Sequence, residues 1–321
     1  MAATHRWRLD IAYDGAGFSG FAPQPGRRTV VGVLAGALAR VARLEAPPYL
    51  TGAGRTDTGV HAVGQVVSVD LPADLDPDEL VGHLNALVRP DLVVRRAQVR
   101  EGFDARHDAL WRAYRYRVVE GPATSLVSAH AWAVPGPLDL AAMDAAAAVL
   151  LGEHDFRAFC RRPPDKGPQE PLMRRVLSAR WRAADDALAL GAGRYLLFDV
   201  AANAFCHHQV RTLCAFLVEV GRHRRSAEEL AARLGAPDRD GLPALAPARG
   251  LSLLAVGYDA DQGGPSGPPI TASSGAPSPG GGAATGWGRA STPEAPAAAT
   301  RDDGDPGRPA APDVARARLA P

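Results

Sequence analysis

Lysine is almost missing from this 321-residue chain: of its 36 basic residues only Lys166 is not an arginine. Arginine is therefore the default cation and cannot by itself be read as a phosphate ligand, although any anion contact will use its planar, permanently charged fork. Cysteine is scarce as well. Cys160, Cys206 and Cys214 are an odd number with no Cys-x-x-Cys spacing, which excludes a disulfide framework and a thiolate zinc cluster. They read as free core thiols in a reducing compartment. No apolar run approaches the roughly 18 residues a membrane span needs, and the N-terminal M-A-A-T-H-R-W-R-L-D has no hydrophobic signal region. The expectation is a cytoplasmic protein that makes no membrane contact. Net charge is also low. The formal value of +1 provides no overall field for a polyanion, so an acidic partner would need a local basic groove.

What is present divides at about residue 260. Residues 261–321 carry 11 Gly and 11 Pro among 61 residues, a composition that buries too little apolar surface to offset chain entropy. This segment reads as a disordered tail. Residues 1–260 alternate strand and helix patterns. Arg6–Tyr13 alternates like a half-buried strand and ends at the turn pair Asp14-Gly15. Thr29 caps a helix over Val30–Leu44, Gln65–Val69 is a strand, and Asp76-Pro77 opens a helix to about Leu87. The pattern resumes with strands at Tyr114–Val119, Val176–Arg182, Tyr195–Ala201 and Leu251–Tyr258. Its helices fall at Asp139–Leu151, at Phe205–Gly221 and after the capping box Ser226-Ala227-Glu228-Glu229. Mixed connections of this kind predict an α+β protein of two similar halves, roughly 1–110 and 111–260.

The chemistry concentrates in G-R-T-D-T-G-V-H-A, Gly54 to Ala62. Glycines at both ends let a loop project a carboxylate, and Arg55 and Asp57, two apart on extended chain, point the same way. On those grounds alone an ordinary Asp-Arg turn is an equal reading. The motif closely resembles the G-R-T-D-A-G-V-H-A signature of the tRNA pseudouridine synthases that modify positions 38 to 40 of the anticodon arm. The likeness continues in the family's order through Tyr13-Asp14-Gly15, Phe103-Asp104-Ala105-Arg106, Tyr114-Arg115-Tyr116, Leu151 to Phe156, and Asn203 to Arg211.

That resemblance implies a pseudouridine-synthase-like fold: one mixed, mainly antiparallel sheet flanked by helices around a central cleft. It implies Asp57 as catalytic nucleophile, Tyr114 packing against the target base and Arg211 pairing with the carboxylate. Arg55 is implied in flipping the uridine and Arg106 in contacting tRNA. The partner is tRNA, bound by a homodimer. The reaction neither oxidises nor hydrolyses, so no metal or organic cofactor is expected. Periodicity alone would make Tyr114, Tyr116 and Val118 one core face of a strand. The adjacent His207 and His208 would diverge on a helix and read as structural or RNA-contacting rather than as a metal pair. His61 reads as a structural partner of the loop. Departures from the family pattern are Thr58 beside the nucleophile, Asp104 in place of a histidine, and Gly20-Phe21-Ala22-Pro23-Gln24 in place of Y-G-W-Q. Two other classes compete: an RNA-binding protein without catalysis, and a nucleoside glycosidase, which would want a second opposed carboxylate that no motif supplies.

Overall fold

The computed structural model describes residues 3–259, apart from 163, 165, 168, 185–192 and 237–238. The segment expected to be a tail from 261 lies outside the described residues. The first strand, β1 (Thr4–Tyr13), ends where the Asp14 carboxylate accepts the Ala16 N–H and caps a 3-10 turn over Gly15–Gly17. Helix α1 (Val30–Val41) starts where expected, with the Thr29 hydroxyl accepting from the Gly32 N–H. After β2 (Thr51–Gly52) and β3 (His61–Pro72) comes α2 (Pro77–Val88), capped by Asp76, with proline in the first turn where no N–H is missed. Next is β4 (Leu92–Val99). Its outward Arg95-Arg96 pair interrupts the apolar alternation, so the sequence pattern did not predict it.

The remaining elements are β5 (Trp111–Glu120), the single turn α3 (Ser125–Ser128), β6 (Trp132–Val134) and α4 (Leu140–Ala148), capped by Asp139. They continue with β7 (Gly152–Asp155), β8 (Met173–Ala184), β9 (Tyr195–Ala202), α5 (Gln209–Gly221), α6 (Ala227–Arg233) and β10 (Leu251–Gly257). The Ser226 hydroxyl accepts the Glu229 N–H at the start of α6, as the capping box predicts.

All ten strands form one mixed sheet flanked by helices, the expected α+β class; eight follow the order β4-β1-β3-β10-β5-β9-β8-β7, while β2 pairs with β3 and β6 with β5 off this path. β10, last in sequence, sits in the middle. It pairs antiparallel with β5 (Leu253 opposite Tyr114) and parallel with β3 (Ser252 opposite His61). At that seam a Cβ on Gly64 would stand 2.2 Å from the Leu254 carbonyl oxygen, so only glycine permits the approach. One apolar core runs beneath both halves, from Trp7, Leu9 and Leu34 to Phe159, Phe198 and Phe216, all fully buried.

Two expectations are corrected here. Helix α5 begins at Gln209 and not at Phe205, because His208 takes a left-handed backbone (φ 71°) that ends helical continuity. Cys206 therefore precedes the helix that holds Cys214. The three cysteines are also not all free: Cys160 and Cys206 form a disulfide with Cα atoms 5.8 Å apart, and only Cys214 is a free, buried thiol. Spacing could not reveal this pair. The two segments meet through the fold, clamped by the Arg161 N–H donating to the His207 carbonyl at 2.8 Å.

Candidate active site

The loop between β2 and β3 carries Asp57, and its shape is set by buried neutral hydrogen bonds. Within the loop Thr56 is buried, Arg55 is exposed and Asp57 is half-buried. The Thr56 hydroxyl meets the Tyr13 hydroxyl at 2.8 Å. The Gln65 amide, wholly buried, donates to the Gly54 carbonyl at 2.7 Å and to the Tyr13 hydroxyl at 3.4 Å. Burial pushes the Tyr13 phenol up to about 12, which keeps it a neutral member of this network. The loop turns back at Gly59 (φ +78°), where the Val60 N–H donates to the Asp57 carbonyl at 3.1 Å. Gly15 of the Y-D-G turn lies flat against Val60; a Cβ there would sit 2.0 Å from its carbonyl oxygen. His61 is locked as the loop's partner, with Nδ1 accepting from the Gly15 N–H at 3.1 Å and Nε2 3.1 Å from the Arg249 carbonyl.

The facing wall comes from the turn before α5 and from its first helical turn. Arg211 donates from Nη1 to Asp57 Oδ2 at 3.0 Å and from Nε to the Ala246 carbonyl at 2.8 Å, so its fork is fixed at both prongs. His207 Nε2 stands 3.1 Å from Asp57 Oδ1, and His208 Nε2 stands 3.5 Å from Oδ2. Both histidines thus face one carboxylate, whereas an uninterrupted helix would have separated them; the left-handed residue His208 is the reason. Burial lowers the His208 pKa; the attraction of Asp57 opposes it, and the electrostatic influence of His207, Arg211 and Arg239 adds to the lowering. Tyr114, in the middle of β5, lies edge-on to Phe205 with centroids 5.1 Å apart, and its hydroxyl would be 3.5 Å from a Cβ on Gly54. Burial raises its pKa well above the ordinary phenol value, and Asp57 adds to the rise.

Of the five residues predicted from sequence, Asp57, Arg211 and Tyr114 therefore converge. Arg55 is exposed on the same loop and makes no ion pair among the described residues. Arg106 is on a turn whose geometry comes from Asp104: one carboxylate oxygen accepts the N–H groups of Arg106 (2.7 Å) and His107 (2.8 Å). Burial opposes ionisation there, but those two bonds outweigh it and hold the Asp104 carboxyl below its usual range. The Asp104 departure thus builds the turn. Thr58 is exposed in the neighbouring turn and its hydroxyl has no partner among the described residues.

Sequence reasoning missed Arg112. Its buried guanidinium donates to the carbonyls of Ala53 (3.0 and 3.1 Å), Arg106 (2.7 Å), Ala109 (2.9 Å) and Asn203 (2.9 Å). It thereby joins the Asp57 loop, the Arg106 turn and the approach to His207. All five contacts go to backbone, so no residue type elsewhere in the sequence signals it.

The chain is thus an α+β protein whose mixed sheet is seamed at its centre and whose Asp57 carboxylate is held by Arg211. Residues 146–259 match the family model described as tRNA pseudouridine synthase. The chain is 46% identical over 259 residues to tRNA pseudouridine synthase A of Frankia casuarinae, an alignment covering 80% of this chain and 90% of that protein. The proteins of the same name from Cutibacterium acnes and Streptomyces griseus are each 42% identical, over 80% of this chain and 90% and 89% of theirs. This chain belongs to the tRNA pseudouridine synthase A family, and is accordingly an isomerase.

Proposed function

We propose that the protein converts uridine to pseudouridine at positions 38, 39 and/or 40 of the tRNA anticodon stem-loop, acting in the cytoplasm as a homodimer. The observation that carries the site assignment is the Arg211–Asp57 pair, 3.0 Å between residues 154 apart in sequence. A guanidinium at that distance holds in place the carboxylate that a nucleophile must present. Asp57 attacks the sugar of the target nucleotide as the N1 glycosidic bond breaks. The detached uracil turns within a pocket that excludes water, and its C5 displaces the Asp57 carboxylate from the sugar; the carboxylate is freed, the C5 proton is lost and N1 gains one. Atoms and oxidation state are conserved, so the chain's own residues suffice and no metal or organic cofactor takes part.

Tyr114 offers a ring for the extruded base, which recovers about 1–3 kcal/mol of lost stacking. Arg55, exposed on the same loop as Asp57, fills the gap the base leaves. Arg106, on its rigid turn, is an outlying tRNA contact. The test is to incubate the purified full chain with unmodified tRNA transcripts and map pseudouridine by carbodiimide-dependent primer-extension stops. Stops at 38–40 are expected with wild type, reduced about 10⁴-fold or more in Asp57→Asn. Conversion that persists in that variant would remove Asp57 from the nucleophile's role. Tight tRNA binding without conversion by wild type would favour an RNA-binding protein instead.

A further inference from the structure

Two clusters among the described residues bring three metal-capable side chains together: Asp14, His61 and His130, and Asp57, His207 and His208. In each, the candidate donor atoms lie within 4.8 Å of one another. The first is closed to a cation. His61 uses one ring nitrogen on the Gly15 N–H and faces the Arg249 carbonyl with the other, so no lone pair is left to give.

The second cluster is open. His207 Nε2 and His208 Nε2 stand 3.1 and 3.5 Å from the two oxygens of Asp57, with ring centroids only 4.0 Å apart. Donors bound about 2.0–2.1 Å from a tetrahedral zinc ion lie roughly 3.3 Å from each other, and each imidazole stands at about that distance from one oxygen of the carboxylate, a different oxygen for each. Backbone strain maintains the arrangement. His208 holds φ 71° with no side-chain capping bond, and its carbonyl is gripped by the N–H (2.9 Å) and hydroxyl (3.1 Å) of Thr212. The ring is consequently spent on the carboxylate and not on the helix end. The His207 side chain is 44% exposed, which provides a path in and room for water as a fourth ligand. Two imidazoles and one carboxylate suit a borderline ion and disfavour magnesium or calcium. Arg211 occupies Oδ2 at 3.0 Å, so an ion shares the carboxylate with a cation and binds less tightly than in a closed structural site.

We infer that Asp57, His207 and His208 form a reversible site for a divalent transition-metal ion, best matched by zinc, whose occupation withdraws the Asp57 carboxylate from reaction. The binding half stands on geometry alone; the inhibitory half rests on the function proposed above. The experiment titrates zinc sulfate into the chelator-stripped full chain against a chromophoric chelator. Cobalt(II) absorption serves to report tetrahedral ligation. One equivalent is expected, with affinity falling at least about tenfold in His207→Ala and in His208→Asn. Asparagine tolerates the left-handed backbone, so the second variant keeps the turn. His83→Ala, an exposed histidine on α2, should bind as wild type does. Pseudouridine formation should fall as the site fills and return when EDTA is added. Absence of stoichiometric binding, or unchanged affinity in both ligand variants, overturns the inference. Stoichiometric binding by a wild-type protein that forms no pseudouridine would uphold the site and reject the proposed activity.

Discussion

The two walls around Asp57 are built on opposite principles. The Gly54–Gly59 wall is neutral and interior: the hydroxyls of Tyr13 and Thr56, the Gln65 amide and a glycine contact fix its backbone. The Asn203–Arg211 wall is cationic and partly open, with Arg211, His207 and His208 all turned on one carboxylate. The first wall decides where the carboxylate is and the second supplies the groups that grip it. A substitution on the charged wall should therefore alter rate more than stability, and one on the neutral wall should do the reverse.

Arg211→Lys tests this with the largest effect. An ammonium keeps the charge but cannot hold the Ala246 carbonyl and Asp57 together as the planar fork does. Single-turnover pseudouridine formation should slow about 10²-fold, the cost of displacing a catalytic group by about 1 Å, while the thermal midpoint moves little. Tyr13→Phe should show the opposite balance. It strips a buried partner from Thr56 and Gln65 and should cost about 1–3 kcal/mol in urea unfolding, with a smaller loss of rate. Equal loss of rate in both variants would dissolve the distinction between the walls.

The smallest effect is a pH dependence from the neutral wall. His61 has its pKa lowered, chiefly by burial and despite Asp14 nearby. The unfolded chain thus binds its proton more readily than the folded one, so stability rises with pH through this range. It should be lost progressively as pH falls below the ordinary value of 6.5. Thermal midpoints between pH 5 and 8 should show a weaker slope in His61→Gln than in wild type.

Legibility in the sequence followed the range of the interactions. The caps at Thr29, Asp76 and Ser226 are local, and each appears where its side chain predicted it. The glycine-flanked Asp57 loop was legible for the same reason. What failed was anything settled by distant backbone. Arg112 reads as one arginine among several in W-R-A-Y-R-Y, since its acceptors are carbonyls at 53, 106, 109 and 203. The convergence of His207 and His208 depends on a single left-handed residue in a segment whose composition suits a helix. The Cys160–Cys206 pair required knowing that two loops meet.

The central position of β10 has a kinetic consequence. The strand that joins the halves of the sheet is made of Leu251–Gly257, long after both neighbours have been synthesised. Until it inserts, β3 and β5 have unpaired edges, and loop closure across about 190 residues must precede their shared pairing. The seam at the centre of the sheet is therefore complete only once residues 251–257 are in place, and a chain that ends before residue 251 lacks the strand that pairs with both β3 and β5.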